Sequence, residues 1–279
     1  MIFASLTTRE PPYHKKLIRT LKLLSEANFD KIYLSLPLIS KNGVKYTVPN
    51  SLPHNVEVVW LDKDYGPICK ILGGLKVQKK GTLITFDDDY DYKTENIKNT
   101  LENNVKKDNN NVYCFSGTYI NNFDTLPCGL SLDGGWHDAR YMFDFGNKKR
   151  LTTIAGYSGV AYPLHLIDYN ELIQFIKSID LFNNKTLFKN DDVVLSAYLG
   201  SKKIPIIMLE KIDIGNENKD SIEEVLKPDY TDIVKSTRHP NIVDYFKTNN
   251  DNSRFVLPQV ILLILIVISM ILFYIYINK

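Results

Sequence analysis

Short apolar runs alternate with stretches of helical periodicity along the first part of the chain. Residues 2–6, 31–36, 56–60 and 83–86 are rich in aliphatic and aromatic residues, which predicts strands. Residues 14–27 carry Leu17, Leu21 and Leu24 at helical spacing, and residues 68–77 form a second, shorter helical segment. Strands separated by helices indicate a largely parallel sheet with right-handed crossovers. We therefore predict an α/β fold.

Three consecutive carboxylates, Asp87, Asp88 and Asp89, follow the fourth predicted strand. Acids in a row repel one another, and a divalent cation bound to a phosphate offsets that repulsion. Ligands of parallel sheets bind beyond the carboxyl ends of the strands, which is where these residues lie. If the chain stays extended, Asp87 and Asp89 point to one face and Asp88 to the other. A solvated acidic turn explains the three acids equally well.

Two polar segments lie at the same predicted edge. The first strand ends in Ser-Leu-Thr-Thr at positions 5–8, where hydroxyls and backbone amides suit a nucleotide, or a turn or helix cap. The turn signature Asp-Tyr-Gly-Pro at positions 64–67 precedes the second helix. Lys70 follows about one helical turn later and either contacts a phosphate or lies on a solvated helix face.

Two later segments, one with two glycines and one with two carboxylates, are further candidates for a functional site. Two glycines bracket Tyr157 and Ser158, which suits close approach of the backbone to a sugar, or a tight turn before a strand at 160–162. Asn190, Asp191 and Asp192 precede an apolar helical stretch, 193–199. This pattern is typical of a helix N-terminus, where a carboxylate stays ionised and can accept a proton.

The order of these segments resembles that of GT-A-fold nucleotide-sugar glycosyltransferases over residues 1 to about 205. The resemblance implies a GT-A-like, Rossmann-like sheet that is mostly parallel and flanked by helices. It also implies sugar transfer from a nucleotide-sugar donor to a hydroxyl group of a glycan, protein or lipid acceptor. The abundance of Asn and Ile further resembles proteins from AT-rich genomes, such as those of large DNA viruses.

The resemblance also implies a role for each segment. Mn²⁺ or Mg²⁺ would bind to Asp87 and Asp89, the family's DxD motif, with His239 either a further ligand or a surface histidine. The base that deprotonates the acceptor would be Asp191 or Asp192, with Asp192 favoured. The donor would contact Ser5, Leu6, Thr7, Thr8, Asp64, Tyr65, Lys70, Asp87 and Asp88. The acceptor would contact Gly156, Tyr157, Ser158, Gly159 and Trp136, which is either a sugar platform or a core residue.

The C-terminal part predicts a membrane anchor. No charged residue occurs from 255 to 278, and this apolar stretch is long enough to cross a bilayer. We expect a catalytic domain over 1–245, a linker over 246–255 and a transmembrane helix over 256–277. Because the N-terminus lacks the pattern of a signal peptide, we expect a tail-anchored protein whose domain faces the cytosol. The three cysteines, which have no metal-ligand spacing, suit a reducing compartment.

Charge and composition exclude some functions and leave others open. With 34 basic and 32 acidic residues, the chain has a formal net charge of +2, so we expect no nucleic-acid partner. Because three acids at a strand end also serve phosphoryl transfer, a metal-dependent nucleotidyltransferase or phosphotransferase is one alternative. A non-catalytic carbohydrate-binding protein on the same fold is another.

Overall fold

The computed structural model describes residues 1–118 and 149–216, apart from positions 12, 14, 15 and 152. The helices are α1 Leu17–Glu26, α2 Cys69–Val77, α3 Thr94–Lys107, α4 Tyr169–Ser178, α5 Lys185–Phe188 and α6 Asp191–Ser201. The strands are β1 Ile2–Thr7, β2 Lys31–Pro37, β3 Val56–Leu61, β4 Thr82–Thr85, β5 Asp91–Tyr92, β6 Val112–Cys114, β7 Gly117–Thr118, β8 Lys149–Leu151, β9 Thr153–Ile154, β10 Val160–Pro163, β11 Ile206–Met208 and β12 Gly215–Asn216.

An eight-stranded sheet in the order β3-β2-β1-β4-β10-β6-β11-β8 forms the centre of the fold. Six of its strands run in one direction, and β8 and β10 run in the other. The predicted α/β fold with a mostly parallel sheet is therefore confirmed, and the first four strands lie within about two residues of their predicted bounds. The first helix begins at Leu17, later than predicted.

Both faces of the sheet are covered, because side chains alternate along each strand. On one face, Phe3 and Leu83 pack in a core shared with α2, α4 and α6. On the other face, Ala4 and Ile84 pack against leucines of α1 and against the apolar stripe of α3. The central strands are thus buried on both sides, and polar groups at their carboxyl ends reach the sheet edge.

The predicted linker 246–255 and the predicted transmembrane helix 256–277 lie outside the described residues, as do 217–245 of the predicted domain. In the part of the chain that the structure describes, no helix has the length and apolar character needed to cross a membrane. Trp136 and His239 also lie outside the described ranges.

Candidate functional site

The three acids after β4 form a turn whose backbone is held by neighbouring side chains. The strand ends at Thr85 and the chain bends at Asp88 and Asp89, so the predicted extended alternation of these acids is wrong. The Thr20 hydroxyl donates to the Asp88 carbonyl at 3.2 Å, and Lys16 Nζ donates to the Asp89 carbonyl at 3.3 Å. These bonds from α1 and its N-terminal flank hold the backbone of the turn.

Asp88 is the most perturbed acid of this turn. Burial raises its pKa to about 7, the neighbouring Asp89 and Asp87 add to the increase, and the nearby Thr8 hydroxyl offsets part of it. Its Oδ2 atom is buried and has no hydrogen-bond partner in the described ranges. A buried carboxylate oxygen without a donor is unfavourable by itself and is suited to a bound cation.

Asp191 and Asp192 occupy the first turn of α6. The expected cap by the Asn190 side chain does not form, although the Asn190 carbonyl accepts the Val194 N–H at 3.1 Å. Asp191 Oδ2 lies 2.9 Å from Lys70 Nζ, and Asp192 Oδ2 accepts the Gly156 N–H at 2.7 Å. Both carboxylates are thus fixed by specific partners.

Lys70 joins the two acid groups. It is 5% exposed, and its Nζ lies 2.8 Å from Asp87 Oδ1 as well as 2.9 Å from Asp191 Oδ2. Burial alone would lower its pKa, but Asp191, Asp87 and Asp192 outweigh that effect and raise the pKa well above the ordinary value. The suggestion of a solvated lysine is therefore wrong: Lys70 is a buried, charged link between β4 and α6.

Asp192 lies in the electrostatic environment of this lysine. Burial raises its pKa and Asp191 adds to the increase, while Lys70 and the Gly156 N–H lower it, so that the pKa is about 8. A general base is most effective when its pKa lies near the working pH. The expectation that the helix N-terminus keeps Asp192 ionised is therefore wrong, because burial and the neighbouring Asp191 raise its pKa instead.

The four residues at the end of β1 differ in their accessibility. The side chains of Ser5 and Leu6 are fully buried, because β1 is a central strand covered on both faces. The Thr7 hydroxyl donates to the Ser35 carbonyl at 2.7 Å, and Thr8 is buried beside Asp88. Contacts of Ser5 or Leu6 with a nucleotide-sugar donor would therefore involve the backbone. The side chain of Thr8 lies next to the carboxylate of Asp88.

Asp64 shapes the turn that leads into α2. Its Oδ2 accepts the Lys41 N–H at 2.9 Å, and its Oδ1 accepts the Gly66 N–H at 2.8 Å. Gly66 has φ +73°, and a Cβ there would lie 2.6 Å from the Phe188 carbonyl oxygen, so a larger residue does not fit. Tyr65 is half-buried next to this turn. Asp64 thus fixes the backbone that presents Lys70.

The glycine segment forms a 3-10 turn over Gly156–Ser158, directly before β10. A Cβ on Gly156 would lie 2.5 Å from Asp192 Oδ1, so glycine allows Asp192 to approach the turn. Ser158 is buried and Gly159 has φ +90°, whereas Tyr157 is 38% exposed. The structure therefore brings Gly156 to Asp192, while the carbonyl and hydroxyl of Tyr157 contact Tyr92 and Ser116.

Tyr92 is a site residue that the sequence did not reveal. Its hydroxyl accepts the Asp87 N–H at 3.0 Å and donates to the Tyr157 carbonyl at 2.9 Å. Burial raises its pKa well above the ordinary value, so the hydroxyl stays protonated. The signal in the sequence was weak: an aromatic residue shortly after the acids.

The donor groups at this edge fit a hard divalent cation. Asp87, Asp191 and Asp192 lie in the electrostatic environment of Lys70, Asp88 and Asp89 follow Asp87 in the turn, and carboxylate oxygens suit Mg²⁺ and Mn²⁺. Within 1–118 and 149–216, no three His, Cys, Asp or Glu side chains are grouped as metal ligands. Mg²⁺ commonly binds through one or two carboxylates plus substrate phosphates, so a third protein ligand is not required.

No protein-family model matches this chain, and no curated protein does. Among solved structures, the chain is similar to 4-diphosphocytidyl-2C-methyl-D-erythritol synthase from Anaerococcus prevotii, with 15% identity, a TM-score of 0.42, and coverage of 80% of this chain and 93% of that chain. It is also similar to GalNAc-T7 in complex with UDP, GalNAc and Mn²⁺, with 15% identity and a TM-score of 0.46. That alignment covers 88% of this chain and half of the other. Likenesses at this level identify neither the family nor the reaction of this chain.

Proposed function

We propose that this protein is a metal-dependent glycosyltransferase that moves a sugar from a nucleotide-sugar donor to a hydroxyl group of a glycan, protein or lipid acceptor. The observation that carries the proposal is the position of Lys70, which pairs with Asp87 at the end of β4 and with Asp191 at the start of α6. Sugar transfer requires charge neutralisation at the leaving group and proton removal from the acceptor. Two carboxylate groups side by side at a sheet edge support both needs.

The acid turn serves the donor in this proposal. Asp87 and Asp89 would hold Mn²⁺ or Mg²⁺, which would supply charge neutralisation for the departing nucleoside diphosphate. Lys70 adds a buried positive charge beside Asp87. Tyr92 holds the Asp87 backbone in place, so the turn keeps its shape when a ligand enters.

The acid pair of α6 serves the acceptor. We assign the base to Asp192, since the ionised form of a carboxylate with a raised pKa retains a proton taken from a hydroxyl group better than an ordinary aspartate. Asp191 orients the pair through its bond to Lys70. Gly156 fixes Asp192 through its backbone N–H.

Ligand-dependent thermal stability tests this function directly. The full-length chain is heated with UDP-, GDP- and CDP-sugars, with Mn²⁺ or with EDTA. A donor at 100 times its Kd adds about 2.7 kcal/mol to the free energy of unfolding. We expect an upward Tm shift that requires metal, is lost in Asp89→Asn, and is kept in Asp213→Asn, which alters an exposed carboxylate outside the site.

The products separate the remaining alternatives. A glycosyltransferase releases a nucleoside diphosphate, whereas a nucleotidyltransferase releases pyrophosphate. The proposal fails if no donor shifts the Tm in the presence of metal, or if pyrophosphate is the product. Donor binding without turnover in the presence of a saccharide panel would favour a non-catalytic binding protein.

We also propose that residues 256–277 anchor the enzyme to a membrane with the catalytic domain on the cytosolic face. The absence of charged residues from 255 to 278 supports this proposal. We expect the full-length chain to stay in the membrane pellet after alkaline carbonate extraction. The double variant Leu263→Lys, Ile266→Lys should move to the supernatant, because each lysine costs about 3 kcal/mol at the centre of a membrane helix. Release of the unchanged chain would contradict the anchor.

A further inference from the structure

Two tyrosine rings lie close to each other beside the acid turn. Tyr90 directly follows Asp89 in the chain, and its ring centroid is 6.3 Å from that of Tyr157, with 42° between the ring planes. Tyr157 is 38% exposed and Tyr90 is half-buried. The proposed donor and base roles do not use this partly exposed aromatic surface.

Tyr92 fixes these rings relative to the acid turn. Its ring is stacked on that of Tyr90 at 4.9 Å, and its hydroxyl bonds to the Tyr157 carbonyl while accepting the Asp87 N–H. The Tyr157 hydroxyl lies 3.4 Å from Ser116 Oγ, which restrains the outer ring as well. The two rings are therefore preorganised and need little ordering when a ligand binds.

The position of Tyr157 relates the rings to the acceptor side. Its neighbour Gly156 donates its N–H to Asp192, the residue assigned as base. A base must come within hydrogen-bond distance of the hydroxyl group that it deprotonates. A hydroxyl group within reach of Asp192 would therefore lie close to the segment that carries Gly156 and Tyr157.

We infer that Tyr90 and Tyr157 form a platform for the pyranose ring of a saccharide acceptor. One face of a pyranose carries C–H groups that pack on aromatic rings, while its hydroxyl groups remain available to hydrogen-bond donors and to a base. This inference rests on the proposed function and narrows its acceptor from any hydroxyl compound to a carbohydrate.

Saturation-transfer NMR on the full-length chain tests the platform without requiring turnover. The probes are methyl β-D-glucopyranoside, methyl β-D-galactopyranoside and methyl N-acetyl-β-D-glucosaminide, each with diamagnetic Mg²⁺ and the nucleoside diphosphate that gives the largest Tm shift. We expect saturation of the C–H protons on one face of at least one probe. Loss of both rings in Tyr90→Ala, Tyr157→Ala should weaken binding of that probe about 2- to 10-fold.

Three further variants control for folding and for the hydroxyl groups. Tyr157→Ala alone removes the more exposed ring and leaves the stack of Tyr90 on Tyr92 in place. Tyr157→Phe keeps the ring and should retain binding. Trp60→Ala removes an aromatic side chain from β3, the edge strand at the far side of the sheet from β4, and should leave glycoside binding unchanged.

Several results would overturn the inference while the proposed function stands. One is a metal-dependent Tm shift with donors but no saturation of any glycoside. Another is glycoside binding that persists unchanged in the double alanine variant. A third is weaker nucleotide-sugar binding in Tyr157→Ala with glycoside binding unaltered, which would assign the rings to the donor. Absence of any donor-induced Tm shift in the wild-type chain would instead count against the proposed function itself.

Discussion

The acid turn after β4 and the acid pair of α6 share one lysine but are built in opposite ways. In the turn, side chains of Thr20, Lys16 and Tyr92 hold the backbone, Lys70 pairs with the Asp87 carboxylate, and Asp88 Oδ2 is buried with no hydrogen-bond donor among the described residues. In the pair, the carboxylates themselves are held, by Lys70 and by the Gly156 N–H. An incoming ligand requires a turn with a fixed backbone and available oxygens, whereas proton transfer requires fixed carboxylates.

The largest expected effect follows from breaking the link between the two regions. Lys70→Met removes the cation but leaves Asp87 and Asp191 in place, and an uncompensated buried charge costs about 3–5 kcal/mol. Chemical denaturation should show this loss in the free energy of unfolding. Lys76→Met, on the same helix but with an exposed hydrogen bond to the Trp60 carbonyl, should change it by less than about 1 kcal/mol. Equal effects of the two variants would refute the link.

A pH series distinguishes the pair from the turn. Because the folded protein raises the pKa of Asp192 from 3.8 to about 8, the native state holds a proton that the unfolded state releases. The resulting stability is fully present below pH 4 and is lost as the pH rises through 8. Asp191, Asp87 and Lys70 are the charged groups that act on Asp192.

The free energy of unfolding should therefore fall by about 2 kcal/mol more from pH 6 to pH 8 in the wild type than in Asp192→Asn. Urea titrations at pH 6, 7 and 8 provide this difference. Parallel pH profiles of the two proteins would show that Asp192 is not held in its protonated form.

Gly156→Ala tests how closely the pair is packed. The added Cβ would lie 2.5 Å from Asp192 Oδ1, and overpacking of this kind costs about 1–3 kcal/mol. In a double-mutant cycle, Asp192→Ala should remove most of that cost, since the clashing atom is gone. Additive changes in the free energy of unfolding would show that the effect of Gly156→Ala does not arise from a clash with Asp192.

Tyr92→Phe gives the smallest effect and tests the turn alone. The variant keeps the buried ring and loses the hydroxyl bonds to Asp87 and Tyr157, at a cost of about 1 kcal/mol. The Tm should fall slightly, and the affinity for a nucleoside diphosphate with Mn²⁺ should also decrease slightly. Tyr13→Phe removes a surface hydroxyl bonded to the Thr47 carbonyl and should affect neither. Unaltered diphosphate binding in Tyr92→Phe would show that the turn does not depend on this support.

The sequence predicted local features and missed those that depend on topology. Apolar runs gave the first four strands and the α/β class, because burial on both faces requires continuous apolar residues. The four residues of β10 carry no sequence pattern that indicates the antiparallel direction of this strand. The helix α3 was missed although Ile97, Leu101 and Val105 recur at helical spacing. This regular apolar stripe is sufficient to predict the helix from the sequence alone.

The contacts of Lys70 could not be predicted from a local sequence pattern. They join residues from α2, the end of β4 and the start of α6, and only the folded sheet brings these together. One clue was present: Lys70 is the sole charged residue between Ile68 and Leu75, so its helix had to bury it. A buried lysine requires a carboxylate partner.

The most direct test of the division between the two regions is calorimetric titration of a nucleoside diphosphate with Mn²⁺ into two full-length variants. Asp89→Asn should bind about 100-fold more weakly than the wild type, because a metal ligand is lost. Asp192→Asn should bind within about 2-fold of the wild type while sugar transfer is abolished, since Asp192 acts on the acceptor. Equal losses of affinity in both variants, or a larger loss in Asp192→Asn, would contradict the assignment of donor and acceptor to separate acids.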